Sequence, residues 1–189
     1  MCDAMLFAER PLAEEVLRAS ADAEELRMAD MFGSERRRRE FLMWRHIVRR
    51  ELGRDVRIAY DPSGAPVIEN RNIYISVSHS KDLVAVVVSP RRCAVDAERT
   101  DRDFGRAAGR YLSEPERLLS DDERLAAAVW CAKETLYKYS GLRGLDLLRD
   151  IRITRADFAA GAIAGTVCGG AEVCMSMLER DGNMVVYIV

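Results

Sequence analysis

The sequence predicts an α+β fold built as two similar helix-plus-antiparallel-sheet lobes, residues 1–90 and 91–189. Three observations predict it. A long amphipathic helical pattern occurs twice along the chain. Each occurrence is accompanied by short β-type runs set between turn signals. The Ser89-Pro90-Arg91-Arg92 turn divides the two occurrences, although the halves share no visible sequence identity.

In the first half, residues 34–53 read as a helix. Ser34 can cap its start, Phe41, Trp44, Val48 and Leu52 recur at helical spacing, and Gly53 can end it. Its other face is rich in arginine. Runs of β type follow at 56–60, 66–69, 73–77 and 83–88, divided by Asp61-Pro62-Ser63-Gly64 and Glu69-Asn70-Arg71-Asn72. In the second half, 93–98 resumes as a strand, and Phe104, Ala108, Tyr111 and Leu112 keep helical spacing. Two capping boxes come next, Ser113-x-x-Glu116 and Ser120-x-x-Glu123; the second is expected to open a long helix through Trp130 and Lys138 to a C-cap at Gly141. The tail returns to β-type runs near 151–154, 163–167, 172–177 and 184–189.

A chain of 189 residues, 49% apolar, can bury a substantial core as one compact unit. Its 29 basic and 31 acidic side chains nearly cancel, so the overall field favours neither nucleic acid nor an anionic membrane. The longest apolar runs are strand-sized and no cleavable signal pattern opens the sequence, which implies a cytoplasmic protein. Five cysteines (Cys2, Cys93, Cys131, Cys168, Cys174) without a CxxC pair, and two histidines, suggest neither a disulfide framework nor a structural zinc site. Reduced and mostly packed thiols are expected.

Asp96 and Glu98 stand two apart on a strand, so both carboxylates leave one face. Such a pair repels itself unless a cation intervenes, and oxygen ligands with open water positions suit Mg²⁺ bound to phosphates; acids alternating on a solvent-facing strand are the plain alternative. Glu134 and Lys138 are i, i+4 neighbours on the long helix, which by itself describes a surface ion pair. Ser78-His79-Ser80 ends a β-type run where a loop can meet an anionic ligand. A serine hydrolase would need a nucleophile elbow, which is absent, and a second histidine suitably placed, whereas His46 lies mid-helix among arginines. The run from Arg36 to Arg39 reads as a solvated helix face, with phosphate binding as the alternative; it lacks the aromatic interleaving of a nucleic-acid reader.

Taken in order, Ser78-His79-Ser80, then Ala94-Val95-Asp96-Ala97-Glu98, then Trp130-Cys131-Ala132-Lys133-Glu134-Thr135-Leu136-Tyr137-Lys138 with Gly141 and Gly144-Leu145, resemble the phosphopantetheinyl transferase superfamily. That family carries a strand motif (V/I)-G-(V/I)-D-x-E and a helix motif W-x-x-K-E-(S/A)-x-x-K, and the second is filled here almost completely. The resemblance covers roughly 23–153, including a first long helix around Phe41, Leu42, Arg45, Ile47 and Val48. The central position of Asp96 fits the larger, two-lobed Sfp-type group, a monomer, better than the small trimeric holo-acyl-carrier-protein synthases.

The resemblance implies an active site between the lobes and transfer of 4′-phosphopantetheine from coenzyme A to a serine of an apo acyl carrier protein or peptidyl carrier protein. Asp96, Glu98 and Glu134 would hold Mg²⁺ against the coenzyme pyrophosphate, and Lys138 would contact the phosphates. Ser78 and His79 would help bind the nucleotide end, and Arg27 falls near a basic coenzyme-binding position. Asp96, Glu134 and Lys138 thus form the expected catalytic set, with Glu134 a metal ligand first and a base for the serine proton second. The sequence departs from the pattern at Ala94, at Ala97, at Ser76, and at Ala65, where a basic residue between glycine and proline is frequent; Ala65 implies weaker coenzyme binding. The alternatives are a degenerate relative that binds coenzyme A or a carrier without transfer, which retention of Asp96, Glu98, Lys133, Glu134 and Lys138 argues against, and an arginine-faced nucleic-acid module, which a salt-dependent DNA-binding assay separates.

Overall fold

A computed structural model describes residues 3–62, 64–69 and 71–189, so Cys2 and the turn positions Ser63 and Asn70 lie outside the described residues. The first lobe contains β1 (Met5–Glu9), α1 (Glu14–Ser20), α2 (Ala23–Asp30), α3 (Glu35–Leu52), β2 (Ile58–Tyr60), β3 (Pro66–Ile68), β4 (Tyr74–His79) and β5 (Val84–Ser89). Strands β1, β5 and β4 form an antiparallel sheet in that order, and β2 and β3 form a separate hairpin. Ser34 caps α3 by accepting the Arg37 N–H, and Gly53, at φ 100°, ends it, as the sequence predicts.

The second lobe holds β6 (Ala94–Arg99), α4 (Glu114–Arg117), α5 (Leu125–Ser140), β7 (Ile151–Asp157), β8 (Ala162–Val167), β9 (Val173–Arg180) and β10 (Asn183–Ile188). Its strands form one antiparallel sheet in the order β6-β10-β9-β8-β7. Gly141 takes the left-handed conformation after α5, at φ 68°, and a Cβ there would run into the Arg92 guanidinium.

Alternation along β5 explains the layering. Val84, Val86 and Val88 join Phe41, Trp44, Ile47 and Val48 of α3 in one core. Leu83, Ala85 and Val87 face the other way, onto Val95 and Ala97 of β6 and Val185 of β10. The far side of the second sheet, through Met184, Val186 and Ile188, packs against Ala128, Cys131, Ala132 and Leu136 of α5. The result is helix, sheet, sheet, helix, with β5 buried on both faces, which is why its sequence is continuously apolar rather than alternating. Each fully buried Val, Leu or Ile contributes about 1.5–3 kcal/mol, so the shared middle layer joins the lobes firmly.

Four expectations change. Strand β1 and helices α1 and α2 carry too short a periodic signal to be read in the sequence; only Leu17 of α1 is buried, while α2 is set by an Asp22–Glu25 capping box. Phe104, Ala108, Tyr111 and Leu112 are buried as their spacing implies, but the chain there makes turns and a 3-10 turn over Ala108–Arg110. Gly105 and Gly109 weaken a helix at this point, and Asp103 Oδ1 accepts the Gly105 N–H to form a turn instead. Ser120 does not open α5: its hydroxyl accepts the Asp122 N–H, Asp122 accepts the Arg124 N–H, and the helix begins at Leu125. Lastly, Cys93 and Cys131 are buried, but Cys168 and Cys174 are exposed, the former at a left-handed turn with φ 51° and the latter on the open face of β9.

The arginine run is largely structural. Arg38 binds both oxygens of Glu14, at 2.9 and 3.1 Å, and Arg39 donates to the carbonyls of Pro11 and Leu12, so they tie the N-terminal segment to α3. No helix among the described residues is long and apolar enough to cross a membrane.

Candidate active site

The site is built where β6, an edge strand, meets α5 on one side and the edge strand β4 on the other. Val95 and Ala97 point into the layer between the sheets. Asp96 and Glu98 therefore leave the opposite face of β6, toward α5, as the two-residue spacing predicts. Glu134 and Lys138, one turn apart on α5, meet them there.

Lys138 pairs with Asp96 rather than with Glu134. Its Nζ lies 2.7 Å from Asp96 Oδ1 and 2.9 Å from the Val95 carbonyl, so both hydrogen bonds of the ammonium are directed at β6. The Ser78 hydroxyl donates to the same Asp96 oxygen at 2.8 Å, from the other lobe. Glu134 makes no salt bridge among the described residues. Burial pushes its carboxyl above the ordinary value and the neighbouring Asp96 adds to this, with Lys138 only partly opposing them. The fully buried Cys131 thiol is likewise pushed up, by burial first and then by Asp96 and Glu98, which places it beneath the acids as an inert packed group.

Glu98 is turned aside. Its carboxylate accepts from Arg102 and, at 3.3 Å, from the Arg99 N–H. Arg102 is in turn stacked over Trp130, 5.1 Å from the ring centroid, and Trp130 meets Tyr111 edge-on at 5.0 Å. Trp130 thus positions the arginine that holds Glu98. Among the described residues no three His, Cys, Asp or Glu side chains are grouped closely enough to hold a metal: Glu134 stands near Asp96, while Glu98 is held away by Arg102.

Along β4 the side chains divide by face. Ser76, Ser78 and Ser80 look toward the second lobe: Ser76 Oγ accepts the Val95 N–H at 3.0 Å, Ser78 Oγ accepts the Ala97 N–H at 3.2 Å, and Ser80 donates to Asn183 Oδ1 at 2.6 Å. The outward N–H groups of β6 are thereby satisfied by hydroxyls. His79 faces the opposite way, toward α3, with Nδ1 3.6 Å from Glu40 Oε2. Arg27 sits exposed on α2, a helix packed against α3, and is not brought to Asp96 by any hydrogen bond or ion pair of the described residues.

Sequence reasoning missed Glu40 and, for serines and a lysine it did name, the roles the structure gives them. The hydroxyls at 76, 78 and 80 alternate with period two, which is a visible signal for a strand face that binds another edge. Glu40, an acid set beside the apolar Phe41 and Leu42, was equally visible. Lys133 gives no warning in sequence: it is fully buried in a pair with Glu116, away from Asp96.

Residues 92–182 match the family model for the 4′-phosphopantetheinyl transferase superfamily. The matched stretch contains Asp96, Glu98, Lys133, Glu134 and Lys138, and it makes this half of the chain similar to phosphopantetheinyl transferases; Ser78, His79 and Arg27 lie outside it. No curated protein matches the chain.

Proposed function

We propose that the whole chain is a two-lobed phosphopantetheinyl transferase of the Sfp type, which moves 4′-phosphopantetheine from coenzyme A to a serine of an apo acyl or peptidyl carrier protein. The observation that carries this reading is the meeting of Asp96, Lys138 and an unpaired Glu134 at the seam, with Ser78 contributed from the other lobe. A surface ion pair on a helix would instead join Lys138 to Glu134.

The acidic side chains fit a hard divalent cation. Carboxylate oxygens are the donors that Mg²⁺ takes, and the Glu134 carboxyl, raised by burial first and by Asp96 second, is one whose charged form such an ion would favour. Asp96 and Glu134 would hold it, with Glu98 joining them on release from Arg102. When bound, Mg²⁺ neutralises charge on the coenzyme pyrophosphate.

The chain's own groups do the rest. Lys138 needs only a rotation of its side chain to turn its ammonium from Asp96 to a phosphate oxygen. Ser78 fixes the Asp96 carboxylate by donating to it. The carrier serine oxygen forms a bond to the phosphorus bearing pantetheine as the bond to adenosine 3′,5′-bisphosphate breaks. Its proton passes to Glu134, a carboxylate that no salt bridge among the described residues engages. Transfer of this kind rests on positioning and charge neutralisation rather than on a protein nucleophile.

The test is incubation with Mg²⁺, coenzyme A and a panel of apo carrier proteins, reading the phosphopantetheine mass gain by mass spectrometry. Wild type is expected to load at least one carrier, and Asp96→Asn none, with its fold retained. A well-folded wild-type protein that binds coenzyme A but loads no carrier would favour the non-catalytic relative; normal loading by Asp96→Asn would remove Asp96 from the site.

A further inference from the structure

Glu40 is a buried acid that the mechanism above does not use. It is only 3% exposed, yet its Oε1 is completely buried without a hydrogen-bond partner. Its neighbours hold it loosely. Arg36 Nε stands 3.5 Å from Oε1 and Arg37 Nη1 3.4 Å from Oε2, both from arginines that are more than half exposed. A carboxylate removed from water is costly unless donors meet its oxygens, so an unmet one in a packed core requires a reason.

The remaining group in reach is His79, whose Nδ1 stands 3.6 Å from Oε2, the oxygen that Arg37 also approaches, while Oε1 stays unmet. The chain has two histidines, and His46 is already engaged by Ser20, Oγ to Nδ1 at 3.0 Å. His79 ends β4 next to Ser78, so neighbouring residues of one strand reach Glu40 of α3 on one face and Asp96 on the other. Its side chain is 39% exposed, so one ring edge faces Glu40 while the ring keeps access to solvent.

We propose that Glu40 is a positioning residue: it accepts a hydrogen bond from His79 Nδ1–H and so turns the ring to present Nε2–H to an anionic group of the coenzyme's nucleotide end. The proposal rests on the reading of His79 as a coenzyme contact. The 3.6 Å separation is longer than a hydrogen bond, and a small rotation of either side chain closes it. An anion at Nε2 favours that closure, because an imidazolium between a carboxylate and an anion donates from both nitrogens. Hydrogen bonds at binding sites are commonly long before the ligand arrives.

The experiment uses the full chain labelled with ¹⁵N and adenosine 3′,5′-bisphosphate as the probe. The two imidazole patterns are assigned with His46→Gln. With the probe bound, His79 is expected to carry a proton on Nδ1, and Glu40→Gln should alter that pattern. Calorimetry should show Glu40→Gln and His79→Ala each weakening the probe by about 5- to 10-fold, the size expected for loss of one hydrogen bond. Combined, they should weaken it no further than His79→Ala alone. Additive losses, or an unchanged ring pattern and affinity in Glu40→Gln, overturn the proposal. Should Glu40→Gln fold poorly, the wild-type pattern alone decides, since an unprotonated Nδ1 in the complex is incompatible with it. If His79→Ala binds the probe normally while Glu40→Gln still alters the His79 ring, the coenzyme reading of His79 is what fails, and the proposal falls with it.

Discussion

Lys133 belongs to the helix motif, yet its surroundings predict a stability role rather than a catalytic one. Its side chain is 0% exposed, with Nζ 2.8 Å from Glu116 Oε1 and 2.8 Å from the Leu147 carbonyl. Glu116 also accepts from Ser113 N–H, Ser113 Oγ and Ile153 N–H, each at 2.8 Å, so its carboxylate joins α4, α5 and β7 while the Lys133 ammonium adds the loop before β7. Lys133→Met removes the ammonium while keeping most of the stem, and it leaves a buried carboxylate facing an apolar group. Breaking a buried pair from one side costs about 3–5 kcal/mol. In a domain of this size each kcal/mol lowers Tm by roughly 2–4 °C, giving a drop of about 6–20 °C. Burial lowers the Lys133 pKa despite Glu116, a sign that the pair carries a desolvation cost, so Lys133→Met with Glu116→Gln, which strands no charge, should melt above Lys133→Met alone. Calorimetric melts of the three variants beside wild type decide it. A Lys133→Met Tm within about 2 °C of wild type would refute the reasoning, because that is the behaviour of an exposed pair.

Glu134→Gln should separate stability from rate. Because burial and Asp96 raise the Glu134 carboxyl above its ordinary 4.5 in the native state, the folded chain holds that proton more tightly than the unfolded one, and stability falls as pH rises from 4.5 through the raised value. The glutamine variant lacks this loss, so above that window in EDTA it should melt higher than wild type while transfer falls by about 10²–10⁴-fold; a lower Tm at pH 7, or wild-type rates, would contradict the assignment. At the hairpin, Arg143 Nη2 reaches the Pro62 carbonyl at 2.5 Å and so brings a cation from the loop after α5 to the turn that precedes Ala65. Calorimetric titration of coenzyme A should show Arg143→Ala binding more weakly and Ala65→Lys restoring affinity in that background by about 1.5–3 kcal/mol; no change with Ala65→Lys in either background would place the hairpin away from the phosphates.

The parts of the fold legible in the sequence are those where one local pattern decides the outcome. Ser34 and Gly53 frame α3, Gly141 ends α5, and the period-two placement of Asp96 and Glu98 puts both on one face of β6. Where tertiary contact decides, the sequence misleads or is silent. The 104–112 segment buries the apolar residues its spacing selects, yet Gly105 and Gly109 leave no helix to carry them. Glu134 and Lys138 satisfy the i, i+4 rule for an ion pair, but Asp96 and the Val95 carbonyl offer Lys138 two acceptors at once and draw it across to the sheet. Nothing local distinguishes Lys133 from Lys138; only the inward direction of one and the seam-facing direction of the other separates a buried strut from a site residue.

The seam itself explains why the site lies there. β4 and β6 are both sheet edges, and continuous backbone pairing between them would merge the two sheets and cover the carbonyl side of β6. Serine hydroxyls at 76 and 78 instead accept the Val95 and Ala97 N–H groups, satisfying the edge without a ladder. Each such bond contributes only about 0.5–1.5 kcal/mol, so cohesion of the lobes falls to the apolar layer of Leu83, Ala85, Val87, Val95, Ala97 and Val185 rather than to the polar edge. That division of labour leaves the Val95 carbonyl and the Asp96 carboxylate open to a side chain from α5. It also lets Ser78 serve the fold and the acid together, since its one hydroxyl accepts from Ala97 and donates to Asp96. An acidic site can therefore stand at this edge because its backbone is already satisfied, and its charge is left to be met by Lys138 and by whatever cation binds.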